Sequence, residues 1–219
     1  ITRDVPIAVA DDARHAEAEL TPGRLPVGSV EFMSQVMREQ GIRPPEPDYY
    51  PAGLESFLHR PVWRSTIERV CRRIEDGQAL FVKSHAYKAL TGDVITQSSL
   101  QRLRALPPDM PVWAALPVTW RSEFRVYIAY GEILSACQYG EHADDALTPA
   151  ELDFLAEAAA RNDAPSGYCL DVGRLSNGSL ALVEQTDGWA LGFYKGLAPA
   201  DYISLLWARW QELLEGSSS

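Results

Sequence analysis

The chain has 219 residues, 46% of them hydrophobic and 23% charged, with a formal net charge of −10 at pH 7. That length can bury a sizeable core in one large or two small domains, and the acidic balance argues against sequence-independent binding to nucleic acid or to an anionic membrane. No apolar run approaches the ~20 residues of a membrane span and the N-terminus carries no secretory signal pattern, while Cys71, Cys137 and Cys169 lack zinc-type spacing and suit reduced thiols in a cytoplasmic protein.

In chain order, residues 5–10 are expected to form a short strand. Ser29 caps a helix through about Gln40, with Val30, Met33, Val36 and Met37 as its apolar stripe and Gly41 ending it. The proline-rich stretch from Arg43 to Pro51 cannot be helical and reads as an extended connection. A second helix is expected from Pro61 to Asp76, with exposed Arg69, Arg72 and Arg73. Strands follow at Ala79–Lys83, Val94–Thr96 and Val112–Leu116. Phe124–Tyr130 and Ile133–Tyr139 form a hairpin through a type II′ turn at Gly131-Glu132. Thr148-Pro-Ala-Glu151 is a capping box opening a helix to about Asn162, and a last helix spans about Pro199 to Leu214 before a flexible Gly-Ser-Ser-Ser tail. Two antiparallel sheets, each backed by helices, make the fold class α+β.

Between Tyr168 and Asp187, two β-prone runs flank Asn177-Gly178, a strong hairpin signal. A two-residue turn would set Asp171 opposite Glu184, with Cβ atoms about 5 Å apart. Gly173, Leu175, Leu180 and Leu182 are expected on the same, buried face. Like charges so placed repel, so a cation is expected between them. Either a divalent metal or a basic side chain fits, and a bulge that slips the register by one would separate the two acids.

Lys83 ends an apolar strand, and Lys88 lies in the following loop, which closes on Thr91-Gly92. Ammonium groups with small residues that let backbone N–H groups approach suit phosphate contact. Glu123 and Arg125 share one face of the next long strand. They either hold each other or aim the arginine at phosphate oxygens and developing negative charge.

Taken in order, Phe81-Val-Lys83 with Lys88 and Gly92, Ser122-Glu-Phe-Arg-Val126, Asp171-Val-Gly173, Val183-Glu184 and Asp187-Gly-Trp-Ala-Leu-Gly192 resemble the ATP-grasp superfamily, and within it a small clade of carboxylate–amine ligase type. The resemblance implies an ATP-grasp fold of two α+β lobes sandwiching a nucleotide: residues 1–55 as a preceding region, 56–113 the N-lobe, 114–215 the C-lobe and 216–219 the tail. It implies Lys83 and Lys88 on the nucleotide phosphates, Gly92 in the loop over them, and Glu123 beside them. Backbone groups of Ala114, Ala115 and Leu116 would meet the adenine edge at the interlobe hinge. Lys88 and Arg125 would be catalytic, Arg125 stabilising the transferring phosphoryl group. Asp171 and Glu184 would hold Mg²⁺, with Thr186 or Asp187 where the family's last metal motif usually has asparagine. The cofactors implied are ATP and Mg²⁺; the partners are small-molecule or peptide carboxylate and amine substrates, with no nucleic acid and no membrane. The implied activity is amide formation through an acyl phosphate, with release of ADP and phosphate. The Thr186 departure and the alanine hinge leave two alternatives: a degenerate nucleotide-binding regulatory or partner protein, and an ATP-dependent phosphotransferase. Tyr49, Tyr50 and Arg60 are candidates for the acceptor side from their position alone.

Overall fold

The computed structural model describes residues 23–86, 90–139 and 146–217. The strand expected over residues 5–10 and the position of Lys88 lie outside the described residues. Helix α1 (Val30–Glu39) starts where the Ser29 hydroxyl accepts the Phe32 N–H at 3.2 Å, and Met33, Val36 and Met37 are its buried stripe. Residues 42–51 run extended into a short 3-10 turn, Ala52–Phe57.

The expected helix from Pro61 divides in two. Val62–Thr66 is a strand, β1, and only Ile67–Glu75 is helix, α2. Pro61 is not its first residue, and Thr66 is the cap, accepting from the Arg69 N–H. β-Branched and aromatic residues over 62–66 favour the strand, and Pro111–Ala115 supplies its ladder. β2 (Leu80–Ser84), β3 (Asp93–Ile95), a short helix α3 (Gln101–Arg104) and β4 (Pro111–Ala115) complete the first unit. Its antiparallel sheet has the order β1-β4-β2-β3. α2 packs Ile67, Val70 and Ile74 against Val82, Ile95, Val112 and Ala114.

β5 (Trp120–Ala129), β6 (Glu132–Tyr139), α4 (Pro149–Arg161), β7 (Gly167–Leu175), β8 (Leu180–Asp187) and α5 (Pro199–Ser217) follow. The second antiparallel sheet has the order β6-β5-β7-β8. α5 continues past Leu214 and takes Gly216 and Ser217 of the expected tail into helix. The β5–β6 turn sits one residue earlier than expected: Tyr130 and Gly131 both have positive φ, 51° and 79°, while Ala129 pairs with Glu132. This is the type I′ geometry that suits the twist of a hairpin, and it takes Tyr130 off the apolar face into solvent. One face of the sheet buries Phe124, Val126, Ile128, Leu170, Val172, Leu180 and Leu182 under Leu155 and Ala158 of α4, with Tyr49, Tyr50, Phe57 and Trp113 joining the same core. The other face is divided along its length. Tyr127 and Cys169 at one end pack on Leu205 and Leu206 of α5, and Arg125, Asp171 and Glu184 occupy the other end.

The β7–β8 connection is a three-residue loop, not two. Leu175 and Ser179 close it, Asn177 Oδ1 accepts the Ser179 N–H at 3.0 Å, and Gly178 takes a φ of 87°. This shifts Val172 opposite Leu182. A bulge then restores the count, so Asp171 pairs with Glu184 as expected. Leu180 and Leu182 therefore lie on the α4 side, across the sheet from the acids, rather than beside them. Among the described residues no helix is long and apolar enough to cross a membrane.

Candidate functional site

Where the two sheets meet, β2 of the first and β5, β7 and β8 of the second bring four charged side chains together. Lys83 stands near the end of β2, and its Nζ bonds the Glu184 carboxylate. The same Nζ stands 3.5 Å from the centre of the Tyr49 ring, so the ammonium is held between a carboxylate and a π-face. Arg125, opposite Asp171 in the β5–β7 ladder, makes a bidentate pair with it through Nε at 2.8 Å and Nη2 at 2.7 Å. The Tyr194 ring covers the guanidinium at 4.8 Å and stacks on Tyr139.

Lys83, Tyr49, Arg125 and Glu184 line a cavity of about 190 Å³ together with Thr186, Asp187, Val30, Trp189 and Ala190. One wall is thus charged and the other apolar. Burial raises the Glu184 pKa; Lys83 opposes the shift and the Asp171 charge adds to it. A carboxylate in this position is short of positive charge even beside its lysine. Burial and the Glu184 charge push the Tyr49 hydroxyl up to about 12.

Asp187 is built in differently. Arg209 of α5 grips both its oxygens, at 2.7 and 2.8 Å, and bonds Glu212 at 2.8 Å. The Asp187 carboxylate also caps the turn Gly188–Ala190, accepting the Trp189 N–H at 3.4 Å. Its pKa is raised by burial against the pull of Arg209. Of the two candidates for the third metal oxygen, Thr186 stands on the Glu184 side of β8 and Asp187 is occupied by a guanidinium. Among the described residues, no group of three His, Cys, Asp or Glu side chains is arranged to hold a metal ion.

The remaining candidates lie around this cluster. Gly92 sits against β2: a Cβ there would stand 2.5 Å from the Phe81 ring and 3.6 Å from Lys83 Cβ. Ala114 and Ala115 are buried in the middle strand, paired with β1 and β2 alike, so their backbone groups are spent within the sheet. Leu116 is exposed, and its N–H reaches the Pro61 carbonyl at 3.4 Å. Glu123 accepts the Tyr139 hydroxyl at 3.3 Å, away from the cavity lining. Tyr49 lines the cavity, whereas Arg60 is turned onto the backbone of β8. Tyr194 and Arg209 were not foreseen, and Val30, Trp189 and Ala190 were given no place at the site. Arg209 carries a usable signal, since a lone arginine on the apolar face of Leu205, Leu206 and Trp210 demands a buried carboxylate.

A family model described as an ATP-grasp domain, the second family of its clade, matches residues 57–205. Solved structures similar to the chain include D-alanine–D-alanine ligase from Bacillus anthracis complexed with ATP, at 16% identity over 87% of this chain and 67% of that one, TM-score 0.49. The macrocyclase MdnC from Microcystis aeruginosa bound with precursor peptide MdnA matches at 14% identity over 85% and 58%, TM-score 0.44. The ATP-grasp ligase PsnB complexed with minimal precursor, Mg and ADP matches at 14% identity over 86% and 58%, TM-score 0.45. The chain spans 54% to 58% of the length of the PsnB chains it matches. No curated protein sequence matches it.

Proposed function

The chain belongs to the ATP-grasp domain family, and from that premise we propose that it is an ATP-dependent carboxylate–amine ligase. The observation that supports this reading is the meeting of Lys83, Arg125 and Glu184 in the lining of one cavity where the two antiparallel sheets meet, with Asp171 buried behind Arg125. On this reading residues 56–113 and 114–215 are the two lobes and 1–55 precede them.

A substrate carboxylate oxygen attacks the γ-phosphorus of ATP, and ADP leaves, giving an acyl phosphate. An amine nitrogen then attacks the acyl carbon, phosphate leaves, and the amine gives up a proton as the amide forms. No side-chain nucleophile is needed, so an enzyme adduct required for turnover would count against the mechanism. The protein positions the reactants and neutralises charge. Arg125, covered by the Tyr194 ring, would supply a planar fork for phosphoryl oxygens once released from Asp171. The apolar wall of Val30, Trp189 and Ala190 excludes water beside it. Asp171 and Glu184 fit Mg²⁺ in donor type, both being carboxylates that already hold a cation, and the ion would neutralise phosphate charge there.

The four charges balance pairwise. Lys83 and Arg125 turn to phosphate only when another cation takes their place on Glu184 and Asp171. Nucleotide binding is therefore expected to require Mg²⁺. Isothermal titration of ATP with and without Mg²⁺, on wild type and on Asp171→Asn/Glu184→Gln, tests this. Micromolar binding that needs Mg²⁺ and is lost in the double variant is expected, followed by ADP release when acid and amine are supplied together. Absence of binding to wild type sinks the reading. The Asp187–Arg209 pair favours a second one, a nucleotide-binding regulatory protein, because it leaves Thr186 as the remaining oxygen at the site. ATP binding without turnover across acid and amine pairs would support it.

A further inference from the structure

Arg60, just before β1, reaches across to β8. Its Nη1 donates to the Leu182 carbonyl at 2.5 Å and to Leu58 at 3.1 Å, and its Nη2 donates to the Val183 carbonyl at 2.9 Å. In a regular strand successive carbonyls point to opposite edges. One guanidinium bonds two in succession only where the strand is bulged, and the register does break here, with Val172 opposite Leu182 and Asp171 opposite Glu184. Val183 is the extra residue. It leaves the ladder, and on the open outer edge of β8 Arg60 takes both its carbonyl and that of Leu182. The Trp120 ring covers the guanidinium at 5.2 Å and itself lies over Gly173. Just beyond, the Tyr49 carbonyl accepts the Gln185 N–H at 2.8 Å, so the outer edge of β8 is tied down on both sides of Glu184.

We propose that Arg60 is a positioning residue that holds the Val183 bulge and so presents Glu184 opposite Asp171 and toward Lys83. Without the bulge-holding fork, the three-residue turn and its one-step offset propagate along β8, and Glu184 moves to the opposite face. Arginine suits the task because its planar fork spans two carbonyls at once, which an ammonium cannot do with the same geometry. The consequence for ligand binding rests on the reading of Glu184 as a metal-site carboxylate.

Deletion of Val183 supplies the test. It removes the extra residue while leaving Asp171 opposite Glu184, so the deleted chain has no bulge to hold. Wild type, Arg60→Met, ΔVal183 and Arg60→Met/ΔVal183 are titrated with ATP and Mg²⁺. Alongside, amide hydrogen exchange is followed over residues 182–187. Arg60→Met is expected to weaken binding about tenfold or more, as loss of an orienting partner of a metal ligand does, and to speed exchange over β8. The double variant is expected to return both toward wild type. Normal binding by Arg60→Met, or a loss that ΔVal183 does not recover, overturns the proposal. If Arg60→Met does not fold, Arg60→Lys takes its place: a loss rescued by ΔVal183 supports the proposal, and an unaltered affinity overturns it. If wild type binds no Mg-ATP, the ligase reading falls alone. The exchange data then decide: protection lost in Arg60→Met and restored by the deletion upholds the role of Arg60, and unchanged protection ends it.

Discussion

At the level of single residues, each charged group near the cavity has a partner chosen by geometry. Arg125 is the clearest case, with a fork matched to both Asp171 oxygens. Arg125→Lys keeps the charge and loses the fork. If Arg125 acts on the transferring phosphoryl group, ADP release should fall about a hundredfold while Mg-ATP affinity changes far less; equal losses in both would assign Arg125 to binding. Away from the cavity, Arg174 grips Glu151 through two bonds, and Glu151 also accepts the Thr148 N–H in its capping box. The Arg174 bond, joined by those from Thr148, lowers the Glu151 pKa from 4.5 to about 2. A carboxylate depressed on folding contributes stability that is fully present above its unfolded pKa and is lost as pH falls through the folded one. Glu151→Gln should thus cost about 1–2 kcal/mol at pH 7, after allowance for screening at the solvated edge. The cost should shrink as pH falls from 4.5 to about 2. Melting temperatures of the two proteins across that window give the answer, and a gap that stays constant would mean the cap geometry, not the charge, is what matters.

Secondary-structure elements carry their own tests, and the β7–β8 hairpin is the most informative. Gly178 needs its positive φ, whereas Gly173 needs space, since a Cβ there would stand 2.4 Å from the Trp120 ring. Gly178→Ala should cost about 1 kcal/mol of turn strain and leave the cavity unchanged. Gly173→Ala should displace Trp120 from Arg60 and disturb β8 at Val183 as well. Denaturant midpoints, read together with exchange over residues 182–187, separate the two; identical exchange patterns would refute the distinction. This hairpin also marks the limit of what was readable. The apolar strand that delivers Lys83, the Glu123/Arg125 face and the capping box at Thr148 are local patterns, and the structure keeps them. The opposition of Asp171 and Glu184 was expected from a two-residue turn that does not exist. It holds because a three-residue loop and a bulge offset each other. Nothing near Val183 announces that bulge, because its carbonyl partner, Arg60, lies 123 residues away. β1 was hidden for a related reason. Pro61 and the apolar residues at 62, 67, 70 and 74 fit one helix, and only the β4 ladder and the Thr66 cap decide otherwise. Arg125 and Glu123 share a face as expected, but the partner that holds the arginine is Asp171, 46 residues on.

For the whole molecule, the cavity depends on a segment that the family match does not cover. α1 packs Met33, Val36 and Met37 not on the first sheet but against Trp189 of the turn after β8 and Trp210 and Leu213 of α5. Val30 from α1 and Trp189 from the turn then form the apolar wall facing Lys83 and Glu184. Loosening that small core should reach the site, while equal damage elsewhere should not. Met37 and Leu103 are both fully buried, one in this cluster and one between α2 and the first sheet. Truncating either to alanine should cost about 3 kcal/mol, transfer and cavity terms together. Met37→Ala should also speed amide exchange in α1 and over residues 188–190 and weaken nucleotide binding. Leu103→Ala should leave both near wild type at a temperature where each variant is fully folded. If the two variants bind nucleotide equally well, α1 is only a cover for α5. If Met37→Ala alone loses affinity, residues ahead of the two sheets are part of the binding site, and the apolar wall they brace belongs to its function.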